Sequence, residues 1–214
     1  MNNSSVTHSC RLIAAGLSLM VLGACGGLRP AATPHPAFYS LDGTRGAVPA
    51  EAPAAAPTLI VNPPHSAAGF DSPRIIYVRE THKLEYFAHS EWVDPPARML
   101  APLLVAAIES TGAFRAVVLT PSAAAGDLRL DTEIVRLQHE FLTQPSRVRF
   151  TLRAHFVDDK TRRVLAWREF DTAVPAASED PYGGVVAANR AVQTVLENLA
   201  VFCAEAARAA PMAK

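Results

Sequence analysis

Three groups of side chains in this sequence have types and spacings that could do chemistry. His82 and His89 flank Glu85. Imidazole and carboxylate can ligate a metal, but a site needs three or four convergent ligands, and exposed hairpin residues explain the set as well. Asp131 and Glu133 are two apart, so on a strand they share a face and could serve as a carboxylate pair for acid–base work. Arg147, Arg149 and Arg153 follow on what reads as a neighbouring strand, and cross-strand ion pairing is the stronger expectation for those carboxylates. The third group is aromatic: Tyr77, Tyr86, Phe87 and Trp92. Aromatic rings bury much area with few rotors, which makes these four partner-docking candidates; a core between a hairpin and a helix is the competing use. No G-x-S-x-G elbow, phosphate-cradling G-x-x-x-x-G-K-[ST] loop or H-E-x-x-H pair occurs. The expectation is therefore of no enzyme, with no catalytic, metal-binding or cofactor-binding residue.

A fourth reactive group is the thiol of Cys25. Leu12 to Leu22 is an apolar run without charge, preceded by His8 and Arg11. It is too short to cross about 30 Å of hydrocarbon as a helix and suits the apolar region of a secretory signal. Leu22-Gly23-Ala24-Cys25 then resembles the lipobox of bacterial lipoproteins. The resemblance implies cleavage before Cys25 and a diacylglyceryl thioether on its sulfur, so that lipid covalently held by Cys25 anchors the chain to a membrane. Each buried methylene contributes about 0.8 kcal/mol, and stable anchoring takes more than one acyl chain. Gly26 rather than Asp after the cysteine favours the periplasmic face of the outer membrane over retention in the inner membrane, by resemblance to enterobacterial sorting. With Cys10 removed and Cys25 lipidated, Cys203 is left alone in an apolar helical pattern, where it reads as a small buried hydrophobe.

The elements that must position these groups can be read from periodicity. Residues 1–24 are the signal, and residues 25–36, rich in Pro, Gly and Ala, form a lipid-anchored tether. Residues 37–210 form one domain. Lys plus Arg equals Asp plus Glu at 20 each, so no basic surplus argues for nucleic acid. Phe38–Leu41 and Thr58–Val61 are short strands, the second stopped by Asn62-Pro63-Pro64. Ile75–Val78 and Lys83–Phe87 form a hairpin around Glu80-Thr81-His82. Asp94 before Pro95-Pro96 predicts a capped helix whose apolar face is Met99, Leu100, Leu103, Leu104, Ala107 and Ile108, ended by Gly112. Phe114–Leu119 is a strand. Alternation over Leu128–Ile134 and Arg147–Phe156, a turn at Asp158-Asp159-Lys160, and a return over Val164–Val174 predict a meander with one buried and one polar face. Asp180-Pro181 starts a long helix with Val185, Val192, Val195, Leu196, Leu199, Phe202 and Cys203 on one face. The fold class is α+β: a single domain in which an antiparallel β-sheet has two helices packed on one face.

The collinear order of short segments adds a family resemblance. Phe38-Tyr39-Ser40-Leu41, Arg74-Ile75-Ile76-Tyr77, Leu84-Glu85-Tyr86-Phe87-Ala88, Trp92-Val93-Asp94-Pro95-Pro96 and Met99-Leu100 are followed by Phe114-Arg115-Ala116-Val117, Leu130-Asp131-Thr132-Glu133 and Ala187-Ala188-Asn189-Arg190-Ala191. Together they resemble the auxiliary lipoproteins of ABC-type transport systems, the family of paraquat-inducible protein C. The resemblance implies an outer-membrane component that docks a mammalian-cell-entry (MCE) substrate-binding protein, and through it an ABC permease and its ATPase, in transport of lipids or other hydrophobic compounds. The hairpin then suits either the MCE partner or a second copy in a homo-oligomer. A periplasmic lipid carrier and a structural envelope lipoprotein are the rival readings.

Overall fold

The computed structural model describes residues 35–42 and 52–210. Its frame is the expected meander. β7 (Leu128–Glu140), β8 (Arg147–Asp158) and β9 (Val164–Pro175) run antiparallel, from Leu128 opposite Asp158 to Glu140 opposite Arg147, and on from Arg147 opposite Pro175. Leu128, Leu130, Ile134, Val148, Phe150, Leu152, Ala154 and Phe156 are buried, as the alternation predicts. β7 runs six residues beyond the predicted Ile134 because a bulge lies between Ile134 and Arg136. The extra residue reverses which parity faces the core: Leu130 and Ile134 are buried before it, Leu137 and His139 after it.

The other edge of β7 carries three short strands placed end to end. β2 (Thr58–Val61), β3 (His65–Ser66) and β4 (Arg74–Val78) pair parallel to β7 with Leu59 opposite Leu128, His65 opposite Glu133 and Tyr77 opposite His139. β6 (Ala116–Leu119) extends the sheet beyond β2 in parallel. β5 (Glu85–Trp92) extends it beyond β4 in antiparallel, and β1 (Ala37–Tyr39) closes that edge parallel to β5. The long ladders are antiparallel as expected; the parallel additions arise because three separate segments share one edge of a single strand.

α1 (Pro96–Glu109) and α2 (Pro181–Ala209) share one core with the sheet, through Leu100, Leu104 and Ile108 from α1 and Val192, Val195, Leu199 and Cys203 from α2. The two predicted caps differ. Asp180 accepts the Gly183 N–H at 2.7 Å and Pro181 takes the first helical position, as expected. Asp94 does not cap α1: Pro95 occupies the N-cap and has no side-chain oxygen, and Asp94 instead pairs with Arg98 at 3.4 Å. No helix among the described residues is long and apolar enough to cross a membrane.

Candidate functional site

The register of the β4–β5 hairpin divides the aromatic candidates. Ile76 opposes Tyr86, and Tyr77 opposes Glu85; neighbours alternate faces, so Tyr86 cannot share a surface with Tyr77 and Phe87. Tyr77 and Phe87 lie on the helix side, half-buried, with ring centroids 4.6 Å apart. Phe141 stands edge-on to Tyr77 at 5.9 Å and lies 4.1 Å from the His139 ring. Tyr86 is 53% exposed on the opposite face, under the Arg74 guanidinium at 4.1 Å. Trp92 is 4% exposed and belongs to the core with Leu100 and Leu104. Its docking assignment is corrected: β5 continues past Phe87, and at its inner end the strand aims the indole under the helices. His139 and Phe141 escaped the sequence reading because the bulge hid the last residues of β7, which ends at Glu140 just before Phe141.

His139 is the buried polar centre of this cluster. Its Nε2 is 2.8 Å from the Ser146 hydroxyl, whereas Nδ1 is buried without a partner. Nδ1 faces Gly184, where an added Cβ would come within 2.5 Å of it. Burial pushes the imidazole below its ordinary value, against the pull of Glu179 and Asp180. Ser146 also donates its backbone N–H to Glu179 at 2.9 Å, and this bond, with the Ser146 hydroxyl, holds that carboxyl below the usual range. One histidine thus joins the β7–β8 turn to the start of α2.

The remaining candidates are structural. Arg79 donates to both oxygens of Glu85, at 3.0 and 2.6 Å, which lowers the carboxyl. His82 sits at φ 69° in the exposed turn, and His89 is exposed on β5. Among the described residues no three His, Cys, Asp or Glu converge on a metal position. Glu133 pairs with Arg153 at 3.2 Å, and Arg153 with Glu169 at 2.9 Å along one rung of three strands. Asp131 takes Arg129 at 3.2 Å and the Asn62 amide at 2.6 Å. Glu133 is thus the cross-strand pairing group that the spacing suggested, whereas Asp131 opposes His155 and pairs with Arg129 of its own strand; Arg147 and Arg149 pair instead with Glu140, and Arg149 also with Asp171. Burial pushes the Cys203 thiol up to about 12, so it behaves as the predicted small hydrophobe. Cys25 lies outside the described residues.

A different surface feature was not read from the sequence. An open groove of about 560 Å³ runs between β1 and the first turns of α2, lined by Phe38, Tyr39, Tyr182, Val186, Asn189 and Arg190 among others. Asn189 fixes it by accepting the Asp42 N–H at 2.6 Å and donating to the Ser40 carbonyl at 3.2 Å.

Asp131, Glu133 and Glu85 are each paired with an arginine. Residues 39–200 match the ABC-type transport auxiliary lipoprotein components, nearly the whole described domain. The chain belongs to that family. It is an auxiliary lipoprotein of ABC-type transport, associated with the bacterial envelope membrane and with an ABC transporter. This auxiliary lipoprotein is also similar to solved structures. Protein XCC0632 from Xanthomonas campestris, of the DUF330 family, is 25% identical over 80% of this chain and 97% of its own, with a TM-score of 0.71. An uncharacterized protein at 12% identity covers 78% of this chain and 98% of its own with a TM-score of 0.62. The hypothetical protein CT253 from Chlamydia trachomatis, at 8% identity, 73% and 100% coverage and a TM-score of 0.53, shares the fold. No curated protein matches the chain in sequence.

Proposed function

We propose that this auxiliary lipoprotein docks the periplasmic end of an MCE assembly to the outer membrane, held there by lipid on Cys25. The observation that carries the reading is the extent of the family match, which spans the folded domain from Tyr39 to Ala200. The geometry agrees with a holding role. The carboxylates that could have worked as acid and base are engaged by arginines, and the free thiol is buried. Docking is favoured over lipid carriage because a carrier encloses its cargo in a pocket of roughly 300 Å³ or more, whereas among the described residues the spaces of that size, such as the groove of about 560 Å³ between β1 and α2, are open at the surface, and the apolar space beside Trp92, Ile75 and His139 measures about 10 Å³. The exposed side of the hairpin, with Tyr86 and Arg74, offers the partner a rigid aromatic–cation pair.

Co-purification from envelope membranes tests the docking. The wild-type chain should bring down the MCE protein together with the permease and ATPase, and Tyr86→Ala should weaken capture without lowering thermal stability. Capture of none of the three by the wild type would overturn the reading. Density-gradient separation of the two membranes tests the location, and recovery with the inner membrane would refute that part. The same proposal makes the domain non-enzymatic and unable to bind ATP. A saturable micromolar nucleotide affinity, about −8 kcal/mol, would contradict it.

A further inference from the structure

The groove between β1 and α2 has a position that says what it faces. Ala37 begins β1, and the chain before it leads back to Cys25. β1 runs parallel to β5, which descends from the hairpin tip. Its first residues therefore lie toward the end of the sheet where α2 begins, and Tyr39 of β1 stands 6.5 Å from Tyr182 in the first turn of α2. From Cys25 to His35 are ten residue steps, a reach of at most about 36 Å. A lipid on Cys25 therefore keeps His35, two residues before β1, within that distance of a bilayer. On this edge Phe38 is 59% and Tyr182 is 63% exposed. Both border the groove with Arg190, which forms no ion pair among the described residues. A tyrosine ring favours the headgroup layer, where the ring is sheltered and the hydroxyl stays wet, and the exposed phenyl ring of Phe38 gains from leaving water; arginine lays its stem on apolar surface and keeps its charge in water. Asp42 also lines the groove, so the local charge is balanced rather than basic.

We propose that this edge, through Phe38, Tyr182 and Arg190, rests on the zwitterionic phospholipid headgroups of the membrane that holds the anchor. The proposal rests on Cys25 carrying lipid and adds an orientation to it. The edge between β1 and α2 faces the bilayer, and the opposite edge strand β9, with Trp167 at 64% exposure, faces away.

The test uses the full lipidated chain, purified from membranes and reconstituted into phosphatidylcholine vesicles. Phe38→Cys, Tyr182→Cys and Trp167→Cys are labelled in turn with an environment-sensitive fluorophore; Cys203 is buried and stays unlabelled. The expected result is blue-shifted emission at positions 38 and 182, quenched by brominated lipid and unchanged by added salt, with position 167 water-like. Equal, water-like emission at all three positions from vesicle-bound protein would overturn the orientation while leaving the anchor standing. Failure of the chain to float with vesicles would overturn the orientation and the Cys25 reading together. A blue shift that follows protein concentration at fixed lipid, without bromine quenching, would assign the edge to a second copy and defeat the proposal.

Discussion

His139 couples burial to pH at the residue scale. Its Nε2 lies 2.8 Å from Ser146 Oγ and Nδ1 faces Gly184 without an acceptor, so the charged imidazolium, which carries an N–H on both nitrogens, would hold the Nδ1 N–H buried and unpaired. Its folded value lies below the ordinary one of about 6.5. The unfolded chain therefore binds the proton first as pH falls, and folding stability is present above about pH 6.5 and declines below it, through the folded value. Urea unfolding between pH 7.5 and 5 should show this decline, and His139→Phe should flatten it even though the variant is less stable throughout. An unchanged slope would remove His139 from the account. Two aromatics give a sharper contrast. Trp92→Ala should cost about 3–5 kcal/mol, as truncated buried aromatics do. Tyr86→Ala should cost less than about 1 kcal/mol, the scale of an exposed cation–π contact. Chemical denaturation of both variants checks the assignment of Trp92 to the core.

At the scale of elements, the start of α2 is built to a tight tolerance. Asp180 caps the Gly183 N–H, and Gly184 lets the helix approach His139 closely. Gly184→Ala should destabilise by about 1–3 kcal/mol through overpacking, and a melting temperature equal to wild type would contradict the close approach. Asp180→Ala should lower the melting temperature by removing a cap, whereas Asp94→Ala should leave it nearly unchanged, since Asp94 makes only an exposed pair with Arg98. The Asp-Pro signal is identical at both helices in sequence. At α1 two prolines follow the aspartate and the second takes the first helical position, so the helix begins one residue late and out of reach of the carboxylate. The β7–β8–β9 ladders were legible because one face is apolar and the other charged along the whole length of β8. The last part of β7 was not, because the bulge after Ile134 breaks the alternation on which the reading depends.

For the whole molecule, the decisive prediction concerns the anchor. Cys25→Ser should accumulate as an uncleaved precursor without acyl label, and normal maturation with membrane fractionation would refute a lipoprotein attached at that residue. The sequence by itself determined the fold class, the two helices, the meander, the burial of Cys203 and the pairing role of Glu133, because each follows from local periodicity or from charges two residues apart. It also determined the family, through an ordered set of segments rather than any one motif. Tertiary structure alone decided which face each aromatic occupies. Tyr77, Tyr86, Phe87 and Trp92 look equivalent in one dimension, yet strand register places two in a half-buried cluster, one on the open face and one in the core. It alone joined β2, β3 and β4 along one edge of β7, and brought Phe38 beside Tyr182 across 144 residues of chain. Register and long-range parallel pairing leave no local mark, because the hydrogen bonds that set them join backbones whose side chains carry the same period wherever the strand is placed.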